Sequence, residues 1–497
     1  MNLTDLLSAG PGAPPGLLRA PPSSDPEIAG ITADSRQVKP GFLFAALRGT
    51  QHDGRAFVGE AAAKGAAAIL TDDPDALPLD PGMRQRVAII ADPNPQRRLA
   101  LLAARFYGRQ PNAIAAVTGT NGKTSVAHFT REIWAALGHP AASLGTLGMV
   151  SSQGRRAGAL TTPDPVALHR DLAELTAQGI EHAAIEASSH GLAQFRLDGV
   201  AVAAAAFTNL TRDHLDYHGD MAAYRAAKQR LFRDLLPPGG CAVLNADSPE
   251  FAALTALCHS CGHRVIGYGE AASADLRLVE RLPRPNGQRI RLLSFGKEHA
   301  IELPLVGAFQ AMNVLAALGL VIATGTPAET AIASLPRLTG VPGRMQKIGE
   351  TATGVPVFVD YAHTPDALTT VLTALRPHAE GRLAIVFGAG GDRDRGKRPL
   401  MGKVASELAD LVYVTDDNPR SESPEEIRRA IIAAAPHGVE IGDRREAIAA
   451  AIAELRRGDI LVIAGKGHET GQIIGDKVLP FDDALAAREV IAAGGAR

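Results

Sequence analysis

The chain has 497 residues, of which 46% are hydrophobic and 21% are charged, and its formal net charge is -2. This length exceeds one ordinary hydrophobic core, so we expect two to four domains, of which three fits best. The near-neutral charge argues against nucleic acid as the main partner. The N-terminus lacks the basic start of a secretory signal, the longest charge-free stretch is broken by proline and glycine, and the three cysteines suit a reducing compartment, so we expect a cytoplasmic protein without a membrane span.

The first 110 residues have the pattern of a small α/β module, with strand candidates such as ITADSR, GFLFAAL and VAIIAD. An apolar strand then runs directly into the turn Gly-Thr-Asn-Gly-Lys-Thr. Glycines there let backbone N–H groups converge on phosphate oxygens, Lys123 adds a positive charge, and Thr124 or Ser125 offers a hydroxyl to Mg²⁺. Val117 stands where the general phosphate loop has glycine, so this motif is a variant. It predicts ATP binding; the alternative is a glycine-rich turn with an exposed lysine.

Two further apolar segments, at 182–187 and 200–207, precede polar runs, as in a parallel sheet with crossover helices. Glu186 ends the first, where a carboxylate can hold Mg²⁺ or be an ordinary strand-end acid. Two carboxylates and two histidines within 208–218 suit either metal binding or a solvated loop. Lys228 shares a predicted helix face with Tyr224, and by itself it is typical of a surface lysine.

Four short apolar strands follow Thr339, namely PVFVD, RLAIVFG, DLVYVTD and DILVIAG, and each runs into a loop rich in charge and glycine. Ligands of open parallel sheets bind beyond the carboxyl ends of the strands, so these loops form a candidate site. Asp360 could accept a ribose hydroxyl or cap a helix. The loops at 390–398, 416–420 and 465–469 suit recognition of a zwitterion, although each alone could be a solvated loop.

Taken together, the motifs indicate a family. They are GTNGKTS, TTP, EASSHGL, TRDHLDYHGDM, GRMQ, VDYAHTPDAL, GAGGDRDRGKRPLM, DDNPR and GKGHE, and their order resembles that of the Mur ligases of peptidoglycan synthesis. The resemblance covers nearly the whole chain. It implies three α/β domains: a small UDP-binding domain at 1–110, a central ATPase domain with a phosphate-loop parallel sheet at 111–338, and a Rossmann-like amino-acid-binding domain at 339–497. The segment TQHDG at 50–54 only approximates a His-Gln-Ala loop of the family.

The resemblance also implies roles for individual residues. ATP contacts are implied for Gly119, Thr120, Asn121, Gly122, Lys123, Thr124, Ser125, Asn313, Arg344 and Asp360. Contacts to a UDP-muramoyl dipeptide are implied for Ser35, Thr161, Thr162, Ser188, Gln194 and Arg196. Contacts to diaminopimelate are implied for Arg393, Asp417, Asn418, Pro419, Arg420, Gly465 and Glu469. The implied catalytic group is Lys123, Lys228, Glu186 and His214, and the implied Mg²⁺ ligands are Thr124, Glu186, His214 and Lys228, the last as a carbamate (N6-carboxylysine).

The activity that the resemblance implies is ATP-dependent addition of meso-diaminopimelate to UDP-N-acetylmuramoyl-L-alanyl-D-glutamate through an acyl phosphate, with Mg²⁺ as cofactor. Arg420 favours this amine over lysine, because an arginine can hold the distal carboxylate that lysine lacks. We expect a monomer that binds neither nucleic acid nor a membrane.

The nearest alternative is a lysine-adding or folylpolyglutamate-forming ligase of the same superfamily. A GTPase is disfavoured because no asparagine of the chain is followed by lysine, so the guanine-reading N-K-x-D motif is missing from the sequence. A non-catalytic nucleotide-binding scaffold is disfavoured by the presence of Lys123, Glu186 and Lys228.

Overall fold

A computed structural model of the protein describes residues 1–8, 17–20, 25–49 and 52–494, with the backbone alone at 17–20. Thr50 and Gln51 of the TQHDG segment lie outside the described residues. The chain folds into two compact units. The first comprises Met1–Lys123, Gly138–Leu244 and Ser248–Val265, and the second comprises Thr124–Leu137, Asn245–Asp247 and the chain from Ile266 onward.

The first unit contains an N-terminal sheet. Its strands are β1 (Leu17–Ala20), β2 (Gly30–Thr32), β3 (Phe42–Ala45), β4 (Ala68–Thr71) and β5 (Ala88–Ala91), and its helices are α1 (Leu3–Leu7), α2 (Val58–Ala63), α3 (Pro81–Arg86) and α4 (Pro95–Tyr107). The strand order is β1-β5-β4-β3-β2, in which β2 to β5 run parallel and β1 is antiparallel to β5. Strands β3 to β5 are almost entirely buried apolar runs, as in a parallel sheet covered on both faces.

The first unit also contains a larger parallel sheet. Its strands are β6 (Ala113–Thr118), β7 (Ala141–Gly145), β8 (Gly148–Ser151), β9 (Gly154–Arg156), β10 (His182–Glu186), β11 (Val202–Phe207) and β12 (Cys241–Asn245), ordered β9-β8-β7-β10-β6-β11-β12. The helices of this part of the chain are α5 (Lys123–Ala136), α6 (Pro165–Ala177), α7 (Ser189–Ala193), α8 (Leu215–His218), α9 (Met221–Arg230) and α10 (Phe251–Ser260). Strands β7, β10, β6, β11 and β12 are parallel, so the turns that follow them meet at one edge.

From Ile266 onward, the second unit contains an antiparallel meander and then a second parallel sheet. The strands and helices before that sheet are β13 (Arg264–Gly269), β14 (Leu276–Arg284), β15 (Gly287–Ser294), β16 (Lys297–Leu303), α11 (Ala308–Ala323) and α12 (Ala328–Ile332). Strand β13 is parallel to β14, and β14 to β16 form the meander. The sheet strands are β17 (Gln346–Glu350), β18 (Pro356–Asp360), β19 (Leu383–Phe387), β20 (Leu411–Val414), β21 (Val439–Glu440) and β22 (Ile460–Ala464), followed by the hairpin β23 (Gly471–Ile474) and β24 (Lys477–Pro480). The helices are α13 (Pro365–Leu375), α14 (Lys397–Leu408), α15 (Pro424–Ile432), α16 (Arg444–Glu454) and α17 (Asp483–Gly494).

The order of this second sheet is β17-β18-β22-β19-β20-β21, with β17 antiparallel and the other five strands parallel. The four strings predicted as strands from the sequence are β18, β19, β20 and β22, and their loops lie at one sheet edge. The predicted α/β class with parallel sheets is therefore confirmed. Within the described residues, no helix is both long and apolar enough to cross a membrane.

Candidate active site

The predicted phosphate loop is the turn between β6 and α5. Gly119 has φ 149°, and a Cβ there would overlap Thr208 Oγ1 and lie 3.1 Å from the backbone nitrogen of Asn209, so glycine is required. The side chain of Lys123 folds back over the turn, and its Nζ donates to the carbonyl oxygens of Gly119 at 2.9 Å and Thr120 at 2.7 Å. The loop therefore holds the ammonium of Lys123 where its positive charge would stabilise an anion bound by the loop.

The turn after β11 fixes the shape of this loop. The Asn121 N–H donates to Asn209 Oδ1 at 2.9 Å, and Thr208 Oγ1 donates to the Asn121 carbonyl at 2.6 Å. The Thr211 N–H donates to Thr120 Oγ1 at 3.0 Å. The loop is therefore organised by the protein itself, which lowers the reorganisation that ligand binding would require.

Lys228 is buried against the phosphate loop, with 2% of its surface exposed. Its Nζ donates to the Gly119 carbonyl at 2.7 Å and lies 4.3 Å from the centre of the Tyr224 ring. The hydroxyl of Tyr224 is 3.2 Å from Thr120 Oγ1. Burial, with a further contribution from the positive charge of Lys123, lowers the pKa of Lys228 to about 6. The surface-lysine alternative is thus excluded, and burial favours the neutral form of the amine.

Several rings surround the start of α8 and the preceding turn. The centre of the His190 ring lies 4.9 Å from that of His214 and 5.5 Å from that of His218. His218 in turn lies 5.2 Å from Tyr224, whose hydroxyl reaches the phosphate loop. Burial lowers the pKa of both His190 and His218. Within the described part of the chain, no group of three or more His, Cys, Asp or Glu side chains forms a metal cage by itself.

Glu186 ends β10 as a buried carboxylate, 2% exposed. Its Oε1 accepts from the Thr146 N–H at 2.7 Å and its Oε2 accepts from the Thr146 hydroxyl at 3.2 Å. The carboxylate occupies the space beside Gly145 on β7, where a Cβ would overlap Oε1 and lie 2.5 Å from Cγ. Strand β10 therefore supplies the carboxylate, and the glycine on the neighbouring strand β7 leaves the space that the carboxylate occupies.

Hydrogen bonds connect five of the six residues predicted to contact the UDP-muramoyl dipeptide to the backbone of Glu186, to Thr146 or to one another. The five are Thr161, Thr162, Ser188, Gln194 and Arg196. Thr162 Oγ1 donates to the Glu186 carbonyl at 2.6 Å and accepts from the Ser188 N–H at 3.0 Å. Arg196 donates to the Thr162 carbonyl at 2.7 Å and to Gln194 Oε1 at 2.5 Å, and the Thr161 and Thr146 hydroxyls are 3.2 Å apart. Ser35, the sixth, instead interacts with Glu60 at 3.4 Å and Lys64 at 3.0 Å.

In the second unit, the three other predicted nucleotide contacts form one group. Asn313 Nδ2 donates to Gln310 Oε1 at 3.1 Å, and Gln310 Nε2 lies 3.4 Å from the Arg344 carbonyl. The Arg344 guanidinium lies 5.0 Å from the centre of the Tyr361 ring. A planar cation beside an aromatic ring offers two faces on which a base can stack.

Asp360 completes this group from the end of β18. Its Oδ2 accepts from the Met345 N–H at 2.7 Å and its Oδ1 from the Ala362 N–H at 2.8 Å. Burial raises the pKa of this carboxyl, although the two N–H groups and Arg344 act in the opposite direction. The N-cap of α13 is Thr364, whose side chain accepts from the backbone of that helix, so the helix-cap alternative for Asp360 is wrong.

The loops after β20 and β22 bring three of the predicted diaminopimelate contacts together around Lys466. Asn418 Nδ2 donates to Glu469 Oε2 at 3.0 Å, and Asn418 Oδ1 accepts from Lys466 Nζ at 3.0 Å. The Asp417 carboxylate lies 3.7 Å from Lys466 Nζ. Gly465 is adjacent, because a Cβ there would lie 2.9 Å from an Asp417 oxygen. Charges of both signs therefore converge at this edge of the sheet.

Arg420 lies in the left-handed region, with φ 51°. Its N–H donates to the Ile473 carbonyl at 3.0 Å, and its guanidinium donates to the Gly391 carbonyl at 2.8 Å. Pro419 also packs on this glycine, since a Cβ at Gly391 would lie 2.8 Å from its carbonyl carbon. Arg393 donates to the neighbouring Asp392 carbonyl at 3.2 Å, a local contact that does not join it to Asn418, Glu469 or Lys466.

Tyr224, Gln310 and Lys466 are among the residues that organise these groups and were not predicted as site residues. Each had a signal in the sequence. Tyr224 precedes Lys228 by four residues and Gln310 precedes Asn313 by three, spacings that place side chains side by side on a helix. Lys466 stands inside the GKGHE motif, between two predicted contacts.

Comparison with known proteins gives consistent matches. Family models match residues 27–107 (Mur ligase family, catalytic domain), 117–321 (Mur ligase middle domain) and 343–467 (Mur ligase, glutamate ligase domain). A protein of Bradyrhizobium diazoefficiens named UDP-N-acetylmuramoyl-L-alanyl-D-glutamate--2,6-diaminopimelate ligase is 53% identical over 470 residues, 94% of this chain and 95% of the relative. A Caulobacter vibrioides protein of the same name is 54% identical over 473 residues, 94% of this chain and 96% of the relative.

A solved structure under that same name is 35% identical to this chain. The similarity covers 99% of both chains with a TM-score of 0.75. The matches therefore extend through all the segments that carry the groups described above.

Proposed function

The chain belongs to the Mur ligase family, and from this premise we propose that it joins meso-diaminopimelate to UDP-N-acetylmuramoyl-L-alanyl-D-glutamate, coupled to the conversion of ATP to ADP and phosphate. As a member, it is an ATP-dependent amide ligase. The relatives named as diaminopimelate ligases support the choice of amine. The structural observation that carries this choice is Arg420, because its strained backbone holds a guanidinium at the loop edge where the other predicted amino-acid contacts gather.

The proposed reaction has two steps. The side-chain carboxylate of the D-glutamyl residue attacks the γ-phosphorus of ATP, which forms an acyl phosphate and releases ADP. An amine of diaminopimelate then attacks the acyl carbon, and the tetrahedral intermediate expels phosphate to leave the amide. Activation is needed because a carboxylate at neutral pH is a very poor acyl donor, whereas phosphate is a good leaving group.

The residues on the phosphate loop would bind and orient the triphosphate. We propose that the N–H groups of Gly119 to Ser125 and the ammonium of Lys123 bind the phosphates. Asn313, Arg344 and Asp360 would contact the nucleoside. Catalysis would then come mainly from positioning and from offsetting the charge on the transferred phosphoryl group.

The residues present fit Mg²⁺. Magnesium is typically held by one or two carboxylates together with substrate phosphates and water, and not by an all-protein cage. The buried oxygens of Glu186 match this donor preference, and the described residues form no complete cage. We propose that Thr124, Glu186 and His214 would hold one Mg²⁺ and that a carbamate on Lys228 would ligate a second, and magnesium when bound would neutralise charge on the phosphates.

The carbamate on Lys228 is proposed because an ammonium cannot ligate a cation. CO₂ would add to the neutral amine with loss of one proton, so that an uncharged group becomes an anionic carbamate. The burial of Nζ beside the Gly119 carbonyl supports this, since the unmodified charge is poorly solvated there.

We further propose that Ser35, Thr161, Thr162, Ser188, Gln194 and Arg196 contact the UDP-muramoyl dipeptide, and that Arg393, Asp417, Asn418, Pro419, Arg420, Gly465 and Glu469 contact diaminopimelate. The proposed domain boundaries are 110/111 and 338/339. We propose that the protein acts as a monomer in the cytoplasm, without nucleic acid or membrane partners.

The decisive experiment is a ligase assay with the purified protein, ATP, Mg²⁺ and the UDP-muramoyl dipeptide. Phosphate release and product mass are measured with meso-diaminopimelate, L-lysine or L-glutamate as the amine. We expect amine-dependent phosphate release with meso-diaminopimelate and a product heavier by one diaminopimelyl residue. Preference for L-lysine would assign the chain to the lysine-adding type, and phosphate release with none of the amines would contradict the proposal.

A further inference from the structure

Lys466 is completely buried, with 0% of its side chain exposed, on the loop after β22. Its ammonium lies 3.0 Å from Asn418 Oδ1, 3.4 Å from Glu469 Oε2 and 3.7 Å from Asp417 Oδ1. A lysine charge is excluded from protein interiors unless anions and hydrogen-bond acceptors compensate it. These three partners provide that compensation, and all three belong to the proposed diaminopimelate site.

The ammonium determines which way the Asn418 amide points. Oδ1 accepts from Lys466 Nζ and also from the Ile473 N–H at 2.9 Å. A flipped amide would place its NH₂ group against both of these donors, so the flip is excluded by the network. The NH₂ group must therefore face Glu469, to which it donates at 3.0 Å.

The carboxylate of Glu469 is consequently held through one of its two oxygens. Among the described residues, the polar contacts of its carboxylate, from Asn418 and Lys466, fall on Oε2. Its side chain is 36% exposed, whereas that of Lys466 is fully buried. Oε1 is thus the oxygen available to a ligand, and a carboxylate oxygen fixed in direction is suited to an ammonium group.

We infer that Lys466 is a positioning residue of the amine site: by orienting Asn418 and holding Glu469 Oε2, it directs Glu469 Oε1 at an ammonium group of diaminopimelate. This inference rests on the proposed function. In this inference Lys466 does not contact the substrate, so the effect of Lys466 on binding must pass through Asn418 and Glu469.

A purely structural role for Lys466 predicts a different result. The same loop packs on the proposed nucleotide group, because a Cβ at Gly467 would lie 2.7 Å from Tyr361 Cβ and one at Gly343 would lie 2.5 Å from the Gly467 carbonyl carbon. A general collapse of the loop would therefore raise the KM for ATP as well as the KM for diaminopimelate. A loss of orientation at Glu469 would raise the KM for diaminopimelate alone.

The test is Lys466→Met, which keeps the length of the side chain and removes its charge. Loss of a hydrogen bond to a charged group predicts a rise of about ten- to a hundredfold in the KM for diaminopimelate, with the KM for ATP unchanged. Lys403→Met is the matched control, because Lys403 is 66% exposed on α14 and pairs with Glu407 on the same helix. We expect both KM values of this control to equal those of the native protein.

A double variant shows whether the effect of Lys466 passes through Glu469, where both of its routes end. If it does, Lys466→Met combined with Glu469→Ala will have a KM for diaminopimelate no higher than Glu469→Ala alone. Additive effects, or equal rises in both KM values, would overturn the inference. If Lys466→Met shows no cooperative melting, Lys466→Arg takes its place: the wider guanidinium should give a smaller rise confined to diaminopimelate, and an unchanged KM overturns the inference.

The activity of the native protein distinguishes a failure of this inference from a failure of the proposed function. A native protein without diaminopimelate-dependent phosphate release would overturn both. A native protein with that activity, together with an unchanged KM for diaminopimelate in Lys466→Met, would overturn the inference alone.

Discussion

The substitution Gly145→Ala should inactivate the enzyme without unfolding it. The added methyl group would overlap Glu186 Oε1 and lie 2.5 Å from Glu186 Cγ, so the whole carboxylate must turn away. Turning breaks its two hydrogen bonds from Thr146, at 2.7 and 3.2 Å. Bonds to a charged group contribute about 1.5 to 3 kcal/mol each, so the orientation of the carboxylate loses about 3 to 6 kcal/mol.

If the transition state needs the carboxylate in its present place, this loss appears in kcat/KM as a fall of about a hundredfold or more. The assay is phosphate release at several Mg²⁺ concentrations, and we expect the concentration for half-maximal activity to rise. Circular dichroism and thermal melting check that the fold is retained. An unchanged kcat/KM in a variant with native melting would refute the reasoning.

Gly59→Ala is the matched control. Gly59 lies within α2, and the nearest atom to a Cβ there is the Pro78 carbonyl oxygen at an ordinary 3.5 Å. Alanine is the better helix former by about 1 kcal/mol, so this variant should be equally active and slightly more stable. A loss of activity in this control would show that glycine-to-alanine changes harm the enzyme for other reasons.

Three further outcomes are expected. Lys123→Ala should abolish ADP formation, since the ammonium that folds over the phosphate loop is lost, and normal turnover would contradict its role. Lys228→Ala should lose activity and regain part of it when short carboxylates such as acetate are added; an unaffected rate would argue against the carbamate. His169→Gln should flatten the dependence of stability on pH. Burial lowers the pKa of His169 from 6.5 to about 4, so the neutral ring contributes stability that is complete above pH 6.5 and is lost as pH falls toward 4. This amounts to about 3 kcal/mol. Urea unfolding of the native and variant proteins at several pH values in this interval measures this loss of stability. An equal dependence of the unfolding free energy on pH in the two proteins would contradict the prediction.

Much of the fold could be predicted because its strands are short, continuous apolar runs with abrupt polar ends. Strands β18, β19, β20 and β22 are almost entirely buried, so the sequence marks their boundaries clearly. The antiparallel strands β14 to β16 were not singled out. In these strands exposed polar residues interrupt the buried apolar ones, so they lack the continuous apolar run by which the other strands were recognised.

The candidate site was less predictable wherever a property depends on contacts distant in the chain. The burial of Lys228 arises because its Nζ meets the carbonyl of Gly119, 109 residues earlier. A helical pattern cannot reveal such a contact, and residue frequencies favour the surface. The family motifs pointed to Lys228 in spite of this. The Asn418 to Lys466 contact, 48 residues apart, is a second case, and here the lysine itself was not identified as a site residue.

The left-handed backbone of Arg420 restricts how this enzyme can be made more robust. A non-glycine residue in this conformation costs about 1 to 3 kcal/mol, and glycine or asparagine would relieve most of that cost. Either replacement removes the guanidinium. Variants selected for thermal tolerance alone should therefore acquire glycine at this position, and these variants should discriminate less between amines. Directed evolution in which cell-wall synthesis does not depend on the enzyme would reveal this trade-off.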